Sequence, residues 1–153
     1  MPDLKIGNGE WVVVCDGGKA LILVNAGDAR FPNLRTRETY EQKHPATHEQ
    51  GSDVPGRAFA SVGGARSAVE QTDWHDQSER NFLKTVAGRL HTAVTAGEVD
   101  RLIMVAPPRA LGMIRQAYSQ QVREAIRVEL EKDYVKLPVS EIETHLCGGG
   151  RKR

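Results

Sequence analysis

EWVVVCDGGKALILVN, Glu10 to Asn25, is the stretch that decides the fold. Trp11 to Cys15 and Lys19 to Asn25 are apolar runs rich in valine, isoleucine and leucine. Such side chains suit the half-buried, pleated surface of a strand. Between the runs stands Asp16-Gly17-Gly18. Glycine reaches positive φ without a steric penalty, so two strands this close read as a β-hairpin. Asp16 at the end of the first strand could instead bind a metal or a phosphate. That role needs companion carboxylates, so turn chemistry is the adopted reading.

Working outward, the ten residues up to Glu10 contain no apolar leader, and no segment is long and apolar enough for a membrane span. Cys15 and Cys147 have no metal-ligand spacing, and Cys15 in an apolar run reads as a buried thiol in a reducing compartment. The expected location is cytoplasmic, with no membrane partner. With 153 residues, 39% hydrophobic and 27% charged, the chain can build a normal core. Residues 1–147 are expected to form one α/β domain and 148–153 a flexible Gly-rich basic tail. A formal charge of +1 favours no class of partner, so local clusters matter more.

Downstream of the hairpin, Gly27, Asp28 and Pro32 mark a turn, and Leu34 to Lys43 reads as a third strand. Arg35 and Arg37 project to one side of it, a solvated outer face. A long connection, His44 to His75, follows. Loops of that length in a compact domain are uncommon and are usually functional or disordered. Asp76-Gln77-Ser78-Glu79 fits a capping box, and Phe82, Leu83, Val86, Ala87, Leu90 and Val94 recur at helical spacing. The pattern predicts a helix over Gln77 to Ala96, stopped by Gly97.

Asp100 to Ala106 is a short apolar run suited to a central strand buried on both faces. Pro107-Pro108 then predicts a helix over Arg109 to Tyr118, with Arg109 at the mouth of a strand–turn–helix unit where ligands often bind. Ser119 to Val135 fits a helix or a strand, and composition favours the helix. Pro138 to Leu146 reads as a last short helix.

Chemistry concentrates in the long connection. Asp53-Val54-Pro55-Gly56-Arg57 presents an arginine on a turn, and Gly63-Gly64-Ala65-Arg66 sets a glycine pair beside another. Glycines let backbone N–H groups approach a phosphate, and arginine pairs with it bidentately. Trp74 and His75 follow at the expected helix entrance, where an aromatic ring could stack on a base. Arg57, Gly63, Gly64, Arg66, Trp74, His75 and Arg109 are therefore the candidate RNA- or phosphate-binding residues. The bland alternative is a solvated loop whose Trp74 pins the helix to the core. His44 and His48 are separated by Pro45, and His75 has no third ligand at a recognised spacing, so no metal site is assigned. No P-loop, Rossmann fingerprint or nucleophile elbow is present, so no cofactor and no catalytic residue are assigned either.

Read in order, WVVVCDGGKALIL, DVPGRAF, GGARSA, DRLIMVAPPRALGMIR and VELEKDYVKLPVSEIETHL resemble the bacterial family of host attachment proteins, from about Trp11 to Leu146. That family is in turn similar to the middle domain of archaeal and eukaryotic peptide-chain release factors and their ribosome-rescue relatives. The resemblance implies an RNase H-like α/β fold, a mixed sheet flanked by helices with a long loop before the first long helix. It also implies a strand over Ile126 to Asp133. In the release factors a Gly-Gly-Gln loop assists peptidyl-tRNA hydrolysis. Gly63-Gly64 falls at the similar place, but Ala65 stands where the glutamine would be. The implied role is a cytoplasmic domain that binds RNA or the ribosome. A peptidyl-tRNA or RNA ester hydrolase and a protein involved in attachment to host cells are the alternatives.

Overall fold

The computed structural model describes residues 4–42 and 64–147, with side chains for 4–42 and 75–147. The hairpin forms as read: β1 (Trp11–Cys15) pairs antiparallel with β2 (Lys19–Asn25), Val13 opposite Ile22. Asp16 makes the turn, its Oδ1 accepting from the N–H of Gly18 at 2.8 Å and of Lys19 at 2.9 Å. β3 (Leu34–Glu41) adds antiparallel to β2. On the other side of β1, β4 (Leu102–Ala106) and then β5 (Ile126–Glu131) join in parallel. The resulting order, β3-β2-β1-β4-β5, is a mixed sheet of RNase H-like arrangement.

Because β1 and β4 are central, each must bury both faces, and every residue of the two strands is buried. One face carries Trp11, Val13, Ile22, Leu102 and Met104. Against it lie α1 (Gly64–Thr95), α2 (Pro108–Arg115) and α3 (Gln120–Ala125). The other face, with Val12, Val14, Leu21, Ile103 and Val105, is covered by α4 (Val139–Cys147) and by Ile6. The expected stripe on α1 is the buried one. Phe82, Leu83, Val86, Ala87 and Leu90 are buried, and Val94 packs at their edge. Gly97 ends the helix at φ +79°, with Gly97 N–H to Val94 O at 3.2 Å and Glu98 N–H to Ala93 O at 2.8 Å, a Schellman pattern.

Several expectations are corrected. The long connection does not extend to His75, and α1 does not start at Gln77; the helix already runs from Gly64. The stretch from Ala65 to His75 contains no proline and several strong helix formers, so propensity outweighs the apparent capping box. Gly64 accordingly lies in helix, not in a loop. The helix expected to reach Tyr118 ends at Arg115, and Tyr118 is buried beyond it. The ambiguous stretch divides, with α3 capped by Ser119 Oγ accepting from Val122 N–H at 3.2 Å, then β5 from Ile126. β5 ends at Glu131, short of Asp133.

β3 departs from simple alternation. The pairing shifts between Ile22–Glu38 and Leu23–Thr36, which makes Arg37 the extra residue of a bulge. Arg35 is exposed, but Arg37 is more than a solvated charge. Its Cζ lies 5.0 Å from the centroid of the buried Trp11 ring, and its Nη2 donates to Glu98 at 3.1 Å.

A candidate functional site at the carboxyl ends of the strands

Parallel pairing puts the ends of β1 and β4 side by side, Val14 opposite Val105, so Asp16 and Pro107 emerge together. The chain leaves β1 toward β2 on one side and β4 toward β5 on the other. That divergence is the place where open α/β sheets bind ligands. Antiparallel pairing brings the start of β2 and the end of β3 to the same edge, Lys19 opposite Glu41. A cleft of about 550 Å³ opens there, lined by Asp16, Gly17, Gly18, Lys19, Glu41, Glu79, Pro107, Arg109, Ala110 and Lys136. Its volume lies within the range usual for small-molecule sites.

Each wall has a local cause. The Asp16 carboxylate fixes the Gly17-Gly18 turn as its floor. Gln42 then locks the end of β3 to that turn, its backbone N–H donating to Gly18 O at 2.8 Å and its Nε2 to Gly17 O at 3.2 Å. Gly17 leaves room for α1: a Cβ there would stand 2.8 Å from Cγ and Cδ of Glu79. Pro107 and Pro108 open α2, whose first turn contains no acid. Arg109 stands at the mouth, as its place in the sequence implies. Its guanidinium donates to Glu79 Oε1 from Nη2 at 2.9 Å and from Nε at 3.2 Å, and also to Asp76 Oδ1. These bonds, to Glu79 and then to Asp76, raise the Arg109 pKa further, so its charge is fixed.

The other candidate residues fall in different places. Arg57 and Gly63 lie outside the described residues, as does the 148–153 tail. Gly64 is the first residue of α1, and Arg66 and Trp74 lie on the same helix with side chains outside the described set. His75 is exposed on α1, one residue before Asp76. The structure therefore joins Arg109 to Asp76 and Glu79, the acids that had looked like a helix cap. Lys19, Glu41 and Lys136 were not anticipated. Lys19 and Glu41 follow from hairpin register, which could have been drawn from the Asp-Gly-Gly turn. Lys136 carries no sequence signal, because it reaches the cleft only through the path of the chain after β5.

A second groove, about 530 Å³, runs along β5 beside Arg115, Tyr118, Arg123 and Arg127. Its cations are already engaged. Arg115 Nε donates to Glu129 at 2.9 Å, Arg123 lies over the Tyr118 ring, and Arg127 Nε donates to the buried Glu10 at 2.7 Å. Among the described residues no group of three or more histidines, cysteines or acids is arranged to hold a metal. No helix among them is long and apolar enough to cross a membrane.

Several solved structures are similar, and two of them illustrate the match, both at low identity. One is an archaeal translation termination factor, aRF1, with TM-score 0.46, 12% identity, and coverage of 87% of this chain and 34% of that one. The other is the ethanolamine utilization protein EutJ from Carboxydothermus hydrogenoformans, with TM-score 0.38, 14% identity, and coverage of 84% of this chain and 47% of that one. The chain thus spans about a third of the termination factor and about half of the utilization protein. No curated protein matches. Residues 11–146 match the family described as protein required for attachment to host cells, and the chain belongs to that family.

Proposed function

We propose that this chain is a binding domain that recognises RNA, or the ribosome, through the segment that leads into α1. The observation that carries the reading is that Gly64 opens a helix of 32 residues with no acid in its first turn. The start of a long helix presents unpaired N–H groups and a partial positive charge, which favour an anion. In the sequence, Arg57, Gly63 and Arg66 surround that start. Glycine permits close approach of the backbone, and the arginines supply bidentate phosphate contacts. Trp74 and His75, further along the same helix, support these contacts by stacking. Arg109 stands apart from that entrance, in the strand-end cleft, with its guanidinium held by Asp76 and Glu79. Ala65 in place of a glutamine favours binding over ester hydrolysis.

Phosphate contacts are strongest at low salt, so the test belongs there. Wild-type protein is expected to sediment with ribosomes at low ionic strength, and the Arg57→Ala/Arg66→Ala variant to stay in the supernatant. Absence of the wild type from the ribosomal pellet at low salt would overturn the reading.

The family's description supports a second reading, a role in attachment to host cells. A direct role requires exposure on the cell surface. Surface biotinylation of intact cells is then expected to label the protein; recovery in the cytosolic fraction alone would exclude direct adhesion.

A further inference from the structure

We propose that the cleft at the carboxyl ends of β1 and β4 is a binding site for a phosphate monoester carried on a hydroxylated organic group. The inference stands on the cleft alone and does not depend on the reading of the α1 entrance. Six charged side chains line the cleft: Asp16, Lys19, Glu41, Glu79, Arg109 and Lys136. Formally they cancel, but they are not equally available. Asp16 is engaged with the turn N–H groups of Gly18 and Lys19. Glu79 is engaged with Arg109. Lys19 and Lys136 have no ion pair among the described residues, although Lys19 stands opposite Glu41 in the strand register.

The cleft therefore holds two uncommitted ammonium groups and one uncommitted carboxylate. Arg109 adds no net positive charge, because Asp76 and Glu79 both hold it, but it adds a donor. Its described bonds use Nε and Nη2, which leaves Nη1 to donate to an incoming oxygen. A phosphate dianion matches the two ammoniums and the open edge of the guanidinium. Glu41 can accept from hydroxyl groups on the remainder of the ligand, which excludes a second phosphate on that side. The acid-free start of α2, with Arg109 and Ala110 on the wall, adds potential of the same sign. The groove along β5 offers less, because Arg115 and Arg127 are ion-paired and Arg123 is the one arginine there with no acid partner among the described residues.

The phosphate could belong to a free metabolite or to the 5′ end of an RNA, and the experiment separates the two sources. Isothermal titration at low salt uses adenosine 5′-monophosphate, a 5′-phosphorylated oligoribonucleotide and its 5′-hydroxyl counterpart. Binding of at least one phosphorylated probe is expected. Lys19→Ala and Lys136→Ala should each weaken it roughly tenfold, the loss expected for one hydrogen bond to a charged group. Lys84→Ala, on the exposed face of α1, should leave it unchanged. Binding of the monophosphate assigns a small-molecule source; binding of the phosphorylated oligonucleotide alone assigns an RNA end. Both lysines are partially or fully exposed, and circular dichroism melting confirms that the variants stay folded. The proposal is overturned if neither phosphorylated probe binds, or if the Lys19→Ala/Lys136→Ala protein binds as the wild type does. Ribosome sedimentation should not change in that double variant, which keeps the two proposals separable.

Discussion

At the scale of single residues, the polar side chains that matter most are those with little contact with water. Asn25 is fully buried. Its Nδ2 donates to Ile6 O at 2.7 Å, and its Oδ1 accepts from Gly27 N–H at 2.9 Å and Asn33 N–H at 2.8 Å. One amide thereby ties the segment before β1 to the β2–β3 turn. Asn25→Ala strands those buried backbone groups and should cost about 2–4 kcal/mol in urea denaturation. Glu38 illustrates linkage to pH. Arg89 donates to it at 2.6 and 2.8 Å and Tyr40 at 2.5 Å, and these bonds hold its carboxyl down at about 2. A depressed carboxyl stabilises the fold above its unfolded value of 4.5 and loses that contribution as pH falls toward 2. The Glu38 side chain is 22% exposed, so solvent screening leaves about 1–2 kcal/mol. Thermal melts from pH 6 to 2.5 should therefore fall less steeply for Arg89→Ala than for wild type. Burial pushes the Cys15 thiol up to about 12. Ellman's reagent should modify Cys147 in the native protein and reach Cys15 only on unfolding.

At the scale of elements, β1, β2 and β4 were legible because their apolar runs are dense and the Asp16-Gly17-Gly18 turn is unambiguous. α1 was legible only where it packs. Phe82, Leu83, Val86, Ala87 and Leu90 mark a buried stripe, and periodicity detects burial, not helicity. Ahead of Phe82 that stripe gives way to GARSAVEQTDWH, so burial periodicity does not mark the first turns of the helix. Asp76 and Glu79 satisfy the capping-box spacing within α1, yet they accept from Arg109 of α2. Contacts between distant segments carry no local pattern. Packing of the stripe sets the stability of the element, and Leu90→Ala, at a fully buried position, should lower stability by about 2–5 kcal/mol. Gly27 is a stricter case. A Cβ there would stand 2.2 Å from the carbonyl oxygen of Phe31. Gly27→Ala should therefore reduce stability through displaced backbone, measurable as a lower denaturation midpoint with an unchanged slope.

At the scale of the molecule, the RNase H-like sheet order followed from the resemblance, while the hairpin followed from the residues. The unequal cover of its two faces followed from neither. Three helices pack on the Trp11 face, and α4 with Ile6 on the other. The strand-end cleft is a product of this scale, since its lysines come from β2 and from the chain after β5. Arg109 was foreseeable, because a proline pair directly after a buried strand fixes where the next helix opens; Asp16, Lys19 and Glu41 lay within reach of the hairpin reading, and Lys136 did not.

The lock between Gln42 and the Gly17-Gly18 turn has a corollary for local opening. One backbone bond and one side-chain bond tie the end of the edge strand β3 to the β1–β2 turn, so the sheet edge cannot fray from that end without also releasing the turn. Native-state hydrogen exchange at the Gln42 amide therefore follows the opening of the turn rather than the fraying of a free strand end.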